Sequence, residues 1–358
     1  MSRSLLAIGR ALAFVIVALV LCSIVFEFAG YSAYEMFTSI AEGAFLSGTA
    51  LLNTLRWTLP LFLTAAGVLV SFRCGYFNIG AQGQFYMGAI GAAFVADWFN
   101  GAPAWIMIPA MLLTGIVTGG LWALWPGWLR VRSGADEVIT TLMGNFIANL
   151  FLIYVTSGPL KDQSGSGEMT ASRPIATIYR ISDSSGVSPT IISITAVMGV
   201  VTWLFVNRTA FGVVGGLAGR NPVMVTWQGA SMSRIGLAAF VYSGALAGLA
   251  GTMDFLGPAG RLLSGYSPSL GFTAVLIALV AGLSPTAVGV VALFFGGLAA
   301  ASLYLPVIAG LPAAAIDIIN AAIALFITAR SWPKFARLIR YLRTPLPAGR
   351  EQKAGGGG

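Results

Sequence analysis

Apolar runs of roughly 18 to 25 residues recur along the whole chain, parted by short polar segments, and each matches the ~20 residues a helix needs to cross ~30 Å of hydrocarbon. A transmembrane barrel would instead show ~10-residue segments of alternating hydropathy, and none is visible. Charged residues make up 9% of the 358, far below the ~25% of a soluble domain. The chain is therefore expected to be an all-α polytopic membrane protein.

The runs lie at 11–30, 50–71, 82–99, 104–125, 138–157, 189–206, 236–256, 271–283, 286–305 and 313–330, which predicts about ten transmembrane helices. The opening "MSRSLLAIGR" has the basic start of a signal peptide, but the run after it is long and no small-residue cleavage pattern follows. We read it as the first span. The mixed segment "YSAYEMFTSIAEGAFLS" after it is expected at the membrane surface. The eighth run is too short for a straight crossing, so it must borrow residues from "LLSGYSPSL" or run as a broken helix.

Ten spans put both termini on one side, and the cations say which. Fifteen of the twenty Lys and Arg fall on the side of the termini, among them Arg73, Arg130, Arg132, Arg208, Arg220 and Arg234. Lys161, Arg173, Arg180 and Arg261 fall on the other, and Arg56 near the start of the second run. Cytoplasmic loops carry the excess of positive charge, so both termini are expected in the cytoplasm. The basic stretch "RSWPKFARLIRYLR" then reads as an anchor on anionic lipid rather than a nucleic-acid arm. Expected boundaries are one transmembrane domain over 1–335, an internal segment at 207–236 and a basic, Gly-rich tail at 336–358. The external segment 157–189 is rich in Ser, Gly and Pro and reads as loop.

Several chemistries are poorly supplied. There is no His, which removes the commonest general base and metal ligand. Cys22 and Cys74 give no disulfide framework or metal spacing, and no G-x-x-x-x-G-K-[ST] loop is present to bind ATP. No cofactor or metal is expected. Asp254 and Asp317 are the acids close to late spans, so there is no buried carboxylate ladder of the kind ion-coupled carriers use.

Polar groups inside apolar runs are mostly amides and hydroxyls. "FRCGYFNIGAQGQ" (72–84) carries Asn78, Gln82 and Gln84 among three glycines, and "TTLMGNFIAN" places Thr140, Thr141, Asn145 and Asn149 in one helix. Thr141, Asn145 and Asn149 are four apart and share a face. An unpaired polar group in hydrocarbon costs several kcal/mol. Each of these residues is thus either interhelical glue or part of a wet path, and the stripe as a whole favours the path. Small-xxx-small spacing at Gly88 and Ala92, and at Gly244 and Gly248, predicts close helix packing.

A weak symmetry also emerges. The second span is followed by "RCGYFNIGAQGQ" and the seventh by "GRLLSGYSPSLGF". If spans 2–5 and 7–10 form two inverted-repeat halves, these interrupted segments occupy equivalent places at opposite faces and point to a transport path. In the internal segment, Gly219, Asn221 and Pro222 can start a short helix with Val223, Met224, Val225 and Trp227 on its apolar side, and Gly229 stops it. Such a helix either lies on lipid or docks in the groove of a cytoplasmic partner.

Four ordered stretches, "RCGYFNIGAQGQFYMGAIGA", "RSGADEVITTLMGNFIANLFLIYVTSGPLKD", "GRNPVMVTWQGASMSRI" and "AGLSPTAVGVVALFFGGLAAAS", resemble the permease subunit of ABC importers of the branched-chain amino acid, ribose and nucleoside group. The chain is most similar to the nucleoside and simple-sugar branch, over roughly 10–330. The resemblance puts the family's glycine-and-amide element on Asn78, Ile79, Gly80, Gln82, Gly83 and Gln84, and a second element on Gly134, Ala135, Asp136, Glu137 and Val138. It puts the ATPase-coupling loop on Gly219, Arg220, Asn221, Pro222 and Gly229. Gln82 stands where the family usually has Glu, and Asp136 where it usually has Asn. The resemblance implies a multi-pass protein of the bacterial inner membrane that moves a nucleoside or a simple sugar. Its implied partners are a separate ABC ATPase subunit, a second permease subunit and an extracytoplasmic solute-binding protein. An ion-coupled carrier or channel for a small polar solute is the alternative from another class.

Overall fold

The computed structural model describes residues 17–163, 170–182, 186–264, 269–308, 310–312 and 314–329. The start of the first run and the tail at 336–358 lie outside them. Within this range the chain is helical, and no strand forms among the described residues apart from two isolated bridges, Lys161 with Ser172 and Ala171 with Leu263.

A helix stands at each of the ten runs: α1 (Val17–Phe28), α3 (Gly48–Arg73), α4 (Ala81–Trp98), α5 (Ala104–Ser133), α6 (Glu137–Ser157), α7 (Pro189–Arg208), α10 (Met232–Asp254), α11 (Leu270–Val280), α12 (Pro285–Ala301) and α14 (Ala315–Ala329). The mixed segment after α1 is α2 (Ala33–Ala44), capped by the Ser32 hydroxyl, which accepts from the Glu35 N–H. A short α13 (Leu305–Ile308) precedes α14. By length and composition, α3, α5, α6, α7 and α10 with its following turn can cross a membrane. α4 is as long as a short span, but its two Gln and Asp97 dilute its apolar character. α11 has 11 residues, eight of them buried, and the eighth run does not extend into a straight span.

Burial separates a centre from a rim. The most apolar stretches of α3 and α10 are 78% and 72% buried, against 22% to 33% for α5, α6 and α7. α10 packs on α3, α4 and α5. It can approach them closely because its contact face is glycine: a Cβ on Gly244 would collide with the Gly119 carbonyl, and one on Gly248 with the Gly115 carbonyl. The spacing at Gly244 and Gly248 thus does what small-xxx-small packing requires. α10 ends in one π turn (Phe255–Ala259), with Gly257 off helical geometry and Gly260 left-handed.

Charge sorts the bundle into two ends. The ends of α3, α5 and α7 and the start of α10 bring Arg73, Arg130, Arg132, Arg208 and Arg234 to one end, with Arg220 beside them. At the opposite end residues 158–163 and 170–182 cap the bundle. Tyr179 is buried there, donating to the Ala102 carbonyl at 2.8 Å and accepting from the Gly101 N–H at 3.1 Å. Arg173 pairs with Asp97 at 2.8 Å. Ser172, Ile175 and Ile181 donate their N–H groups to the carbonyls of Leu262, Gly260 and Leu256. The described part of this segment is fastened to its neighbours rather than loose loop.

The internal segment 207–236 holds the short helix expected after Asn221 and a second helix before it. It folds into α8 (Ala210–Ala218) and α9 (Pro222–Trp227), with Thr209 capping the first and Asn221 the second. Gly219 does not start α9. It closes α8, with its N–H on the Gly215 carbonyl, and a Cβ there would strike the Arg73 carbonyl. Close approach to the end of α3 is what Gly219 supplies.

Candidate functional site

The stretch 74–84 is a folded strap with two ends. Its first residues sit on α8 and the start of α10. Gly75, at φ 84, places its α-carbon face 3.0 Å from the Gly219 α-carbon, measured from where a Cβ would stand. Cys74 packs on Gly215, and the Tyr76 hydroxyl donates to the Met232 carbonyl at 2.9 Å. These contacts bury Cys74 and Tyr76 in a small cluster with Val225, Ile235 and Phe240.

The other end of the strap is a buried polar network. Asn78 is fully buried, and Gln82 and Gln84 nearly so. Asn78 and Gln84 pair reciprocally: Asn78 Nδ2 donates to Gln84 Oε1 at 3.0 Å, and Gln84 Nε2 donates to Asn78 Oδ1 at 2.9 Å. Asn78 Nδ2 also reaches Ser243 Oγ on α10, and Asn78 Oδ1 accepts the Gly80 N–H, both at 3.0 Å. Gln82 Oε1 accepts the Gly271 N–H, so the first turns of α4 and α11 meet there. The reciprocal amides satisfy one another, which removes most of the cost of burying them.

α6 clips this network from the side. Asn145 Oδ1 accepts the Gly83 N–H at 2.8 Å, and its Nδ2 donates to the Ile79 carbonyl at 2.9 Å. Thr141 Oγ1 accepts the Ile79 N–H at 3.3 Å and donates to the Glu137 carbonyl at 2.6 Å. The expected face of Thr141, Asn145 and Asn149 divides: the first two are buried against the strap, whereas Asn149 and Thr140 are half-buried and outside the network. The structure therefore brings together Asn78, Gln82, Gln84, Thr141 and Asn145. Ser243 and Gly271 were missed by the sequence reading. A serine in "YSGALAG" and a glycine at a helix start carry no local mark of a partner 165 or 189 residues away.

Asn145 gives a direct test of what this arrangement does. Asn145→Leu leaves the Gly83 N–H and the Ile79 carbonyl without their partner, at roughly 1–3 kcal/mol for each group left unsatisfied. The melting temperature of the purified protein in detergent is expected to fall by several degrees. An unchanged melting temperature with a raised KM for solute would show that Asn145 faces solute instead of holding the strap.

The second sequence element is a helix–turn–helix. Gly134, at φ 69, ends α5, and Asp136 caps α6 by accepting from the Val138 and Ile139 N–H groups at 2.8 and 3.2 Å. Arg130 pairs with Glu137 at 2.9 Å, with Glu137 buried. The coupling-loop residues form a compact unit around α9. Asn221 Oδ1 accepts the Met224 N–H at 3.0 Å, Pro222 holds the first turn, and Gly229 takes the left-handed turn at φ 82. Val225 is buried, while Val223, Met224 and Trp227 are exposed, Trp227 at 88%.

A family model described as "Branched-chain amino acid transport system / permease component" matches residues 50–328. The guanosine ABC transporter permease protein NupP of Bacillus subtilis is 33% identical over 87% of this chain and 90% of its own length. The glucose ABC transporter permease protein TsgB13 of Haloferax volcanii is 31% identical, over 75% of this chain and 73% of its own. The nucleoside ABC transporter permease protein NupB of Lactococcus lactis is 29% identical, over 84% and 85%.

Proposed function

We propose a specific function from one premise: the chain belongs to the permease-component family of the branched-chain amino acid transport systems. It is a transport subunit of an ABC importer and not itself an enzyme; a separate ATPase subunit hydrolyses ATP and a solute-binding protein delivers the cargo. We place it in the bacterial inner membrane with about ten spans and cytoplasmic termini, in one permease domain over 1–335. On this reading the basic end is cytoplasmic and the cap of residues 158–163 and 170–182 receives the binding protein. The positive-inside bias of the arginines supports that orientation. The meeting of the first turns of α4 and α11, which follow the two interrupted segments, supports two inverted halves around a central path.

The solute we assign is a nucleoside, with a simple sugar second. Two of the relatives are named for guanosine or nucleosides and one for glucose. The network of Asn78, Gln82, Gln84, Thr141 and Asn145, with Asn149 beside it, offers amides and hydroxyls suited to a neutral polyhydroxylated ligand. We assign these residues to the inner part of the path, where amides that now pair with one another exchange partners with solute as the path opens.

One observation carries the mechanism: the strap 74–84 touches the coupling unit at one end and the buried network at the other. Cys74, Gly75 and Tyr76 sit on Gly215, Gly219 and Met232, and four to eight residues on, the same strap holds α6, α10 and α11. An ATPase pulling on Gly219, Arg220, Asn221, Pro222 and Gly229 thereby moves the first turn of α4 directly. A second permease subunit, identical or related, completes the complex. The test is reconstitution into liposomes with ATPase and binding protein: labelled guanosine uptake is expected to require ATP inside the compartment of the ATPase. Uptake by the chain alone, driven by an ion gradient, would make it a secondary carrier.

A further inference from the structure

At the basic end a cavity of about 570 Å³ opens between the ends of α3 and α7, α8, and the turn that joins α11 to α12. Its walls differ in chemistry. Phe72 and Trp203 form an apolar side, and Arg73, Arg220, Asn207 and Thr286 form a polar one. No Asp or Glu lines it. Among the described residues the ion pairs are Arg130 with Glu137 and Arg173 with Asp97, so Arg73 and Arg220 face one cavity with no carboxylate between them. Each lies in the other's field.

Of the two, Arg73 is half-buried and Arg220 is exposed. The Arg73 side chain lies over Gly216, where a Cβ would stand 3.3 Å from its Nε, so the absence of a side chain on α8 leaves room for the guanidinium. α12 begins in the same wall. Its N-cap Ser284 makes no capping bond, and the Ser284 and Thr286 hydroxyls pair at 3.1 Å, which presents two hydroxyls at the positive end of a 17-residue helix. A third guanidinium, that of Arg208, lies 5.6 Å from the centre of the Trp203 ring.

Like charges crowded into one pocket are unfavourable until an anion joins them, and a guanidinium fork matches phosphate oxygens. We infer that this cavity binds a phosphate-bearing anion, with Arg73 and Arg220 as its principal ligands. The headgroup of an anionic phospholipid is the source the surroundings favour. α7 is the least buried of the five long helices, and its exposed Val200, one turn from Trp203, offers apolar surface for an acyl chain. This rests on the proposed orientation, in which the basic end is cytoplasmic: basic pockets between helices on that side are where such headgroups bind.

The test is native mass spectrometry of the detergent-purified complex with its ATPase subunit, titrated with phosphatidylglycerol or phosphatidylcholine. The wild type is expected to retain phosphatidylglycerol in preference, and Arg73→Gln with Arg220→Gln to lose that preference at least tenfold. Ser284→Glu, which places an acid in the cavity and leaves both arginines, should weaken retention in the same sense. Arg132→Gln, at the same end but outside the cavity, should not. Retention that survives the double variant, or falls as far with Arg132→Gln, overturns the site. Protection by millimolar inorganic phosphate, with no preference between the lipids, upholds the phosphate site and assigns it to a soluble anion. Unchanged lipid retention with loss of the ATPase subunit in the double variant means that the cavity receives protein, and the inference fails. The readout is binding, so a failure here is distinct from a failure to import.

Discussion

Gly248→Val is expected to eliminate the folded protein. Three helices converge at this one position: a Cβ on Gly248 would overlap the Gly115 carbonyl and come within 2.9 Å of the Gly119 α-carbon, both on α5. From the other side, a Cβ on Gly88 of α4 would overlap the backbone of Gly248 itself. What blocks a valine is backbone, not the mobile tip of a side chain, so α4, α5 and α10 must separate to admit it. Separation also breaks the bond from the Thr252 hydroxyl to the Gly88 carbonyl, 3.1 Å long. Overpacking that moves backbone typically costs 1–3 kcal/mol or more, and with three helices displaced we expect about 4 kcal/mol or more, the range of the exceptional single mutants. The check is size-exclusion of a fluorescent fusion in mild detergent: the monodisperse peak should vanish. Gly48→Ala is the control, since nothing stands within 4 Å of a Cβ there, and it should elute as wild type. A normal peak for Gly248→Val would mean that these helices do not meet as described.

Helix positions were legible in the sequence because hydrocarbon leaves the backbone no partner outside the helix, so apolar runs of sufficient length announce themselves. α11 shows where that rule weakens. Eleven residues suffice there because α11 packs on α3, α4, α12 and α14. In the 207–236 segment the sequence predicts the short helix that starts at Asn221-Pro222, but none over the glycine-rich "AFGVVGGLA" before it. That stretch is nonetheless helical, since Gly212 and Gly215 let α8 lie against the carbonyls of Phe205 and Val206 and against Cys74. Tertiary contact overrode propensity, and contact is invisible in one sequence.

The candidate site was legible in kind and not in arrangement. Amides in an apolar chain stood out, as their desolvation cost requires. That Asn78 and Gln84 would spend their groups on each other depends on the turn at Gly80, where a Cβ would stand 3.0 Å from Gln84 Nε2 and 3.1 Å from Asn78 Oδ1. Gly219 reads as part of a helix start because Pro222, three residues on, suits a first turn. Its true constraint is the Arg73 carbonyl, 146 positions away in the chain.

Trp227→Asp is expected to uncouple transport while leaving the fold intact. α9 is six residues long, too short to hold helical form alone. Three features hold it: the Asn221 cap, the buried Val225, and the turn at Gly229, where the Ala230 N–H returns to the Val225 carbonyl at 3.2 Å. None of them involves the Trp227 ring, which is 88% exposed. An exposed tryptophan beside exposed Val223 and Met224 is the composition of an interface anchor, whose loss costs about 2 kcal/mol or more of binding, some tens of fold. A carboxylate in its place adds the cost of burying a charge. ATPase stimulation and uptake should therefore fall at least tenfold, with elution and melting temperature as wild type. Gly229→Glu should uncouple as well, by straining a left-handed turn. Cys74 supplies the internal gauge. It lies under α8 at 3% exposure, and burial pushes its thiol up to about 11, against the opposing influence of Arg73, so alkylation at neutral pH should be slow at rest. If α8, α9 and the strap move as one, ATP turnover should accelerate Cys74 alkylation in the wild type and not in Trp227→Asp. Full uptake by Trp227→Asp, or acceleration that persists in it, would show that force enters the chain somewhere other than α9.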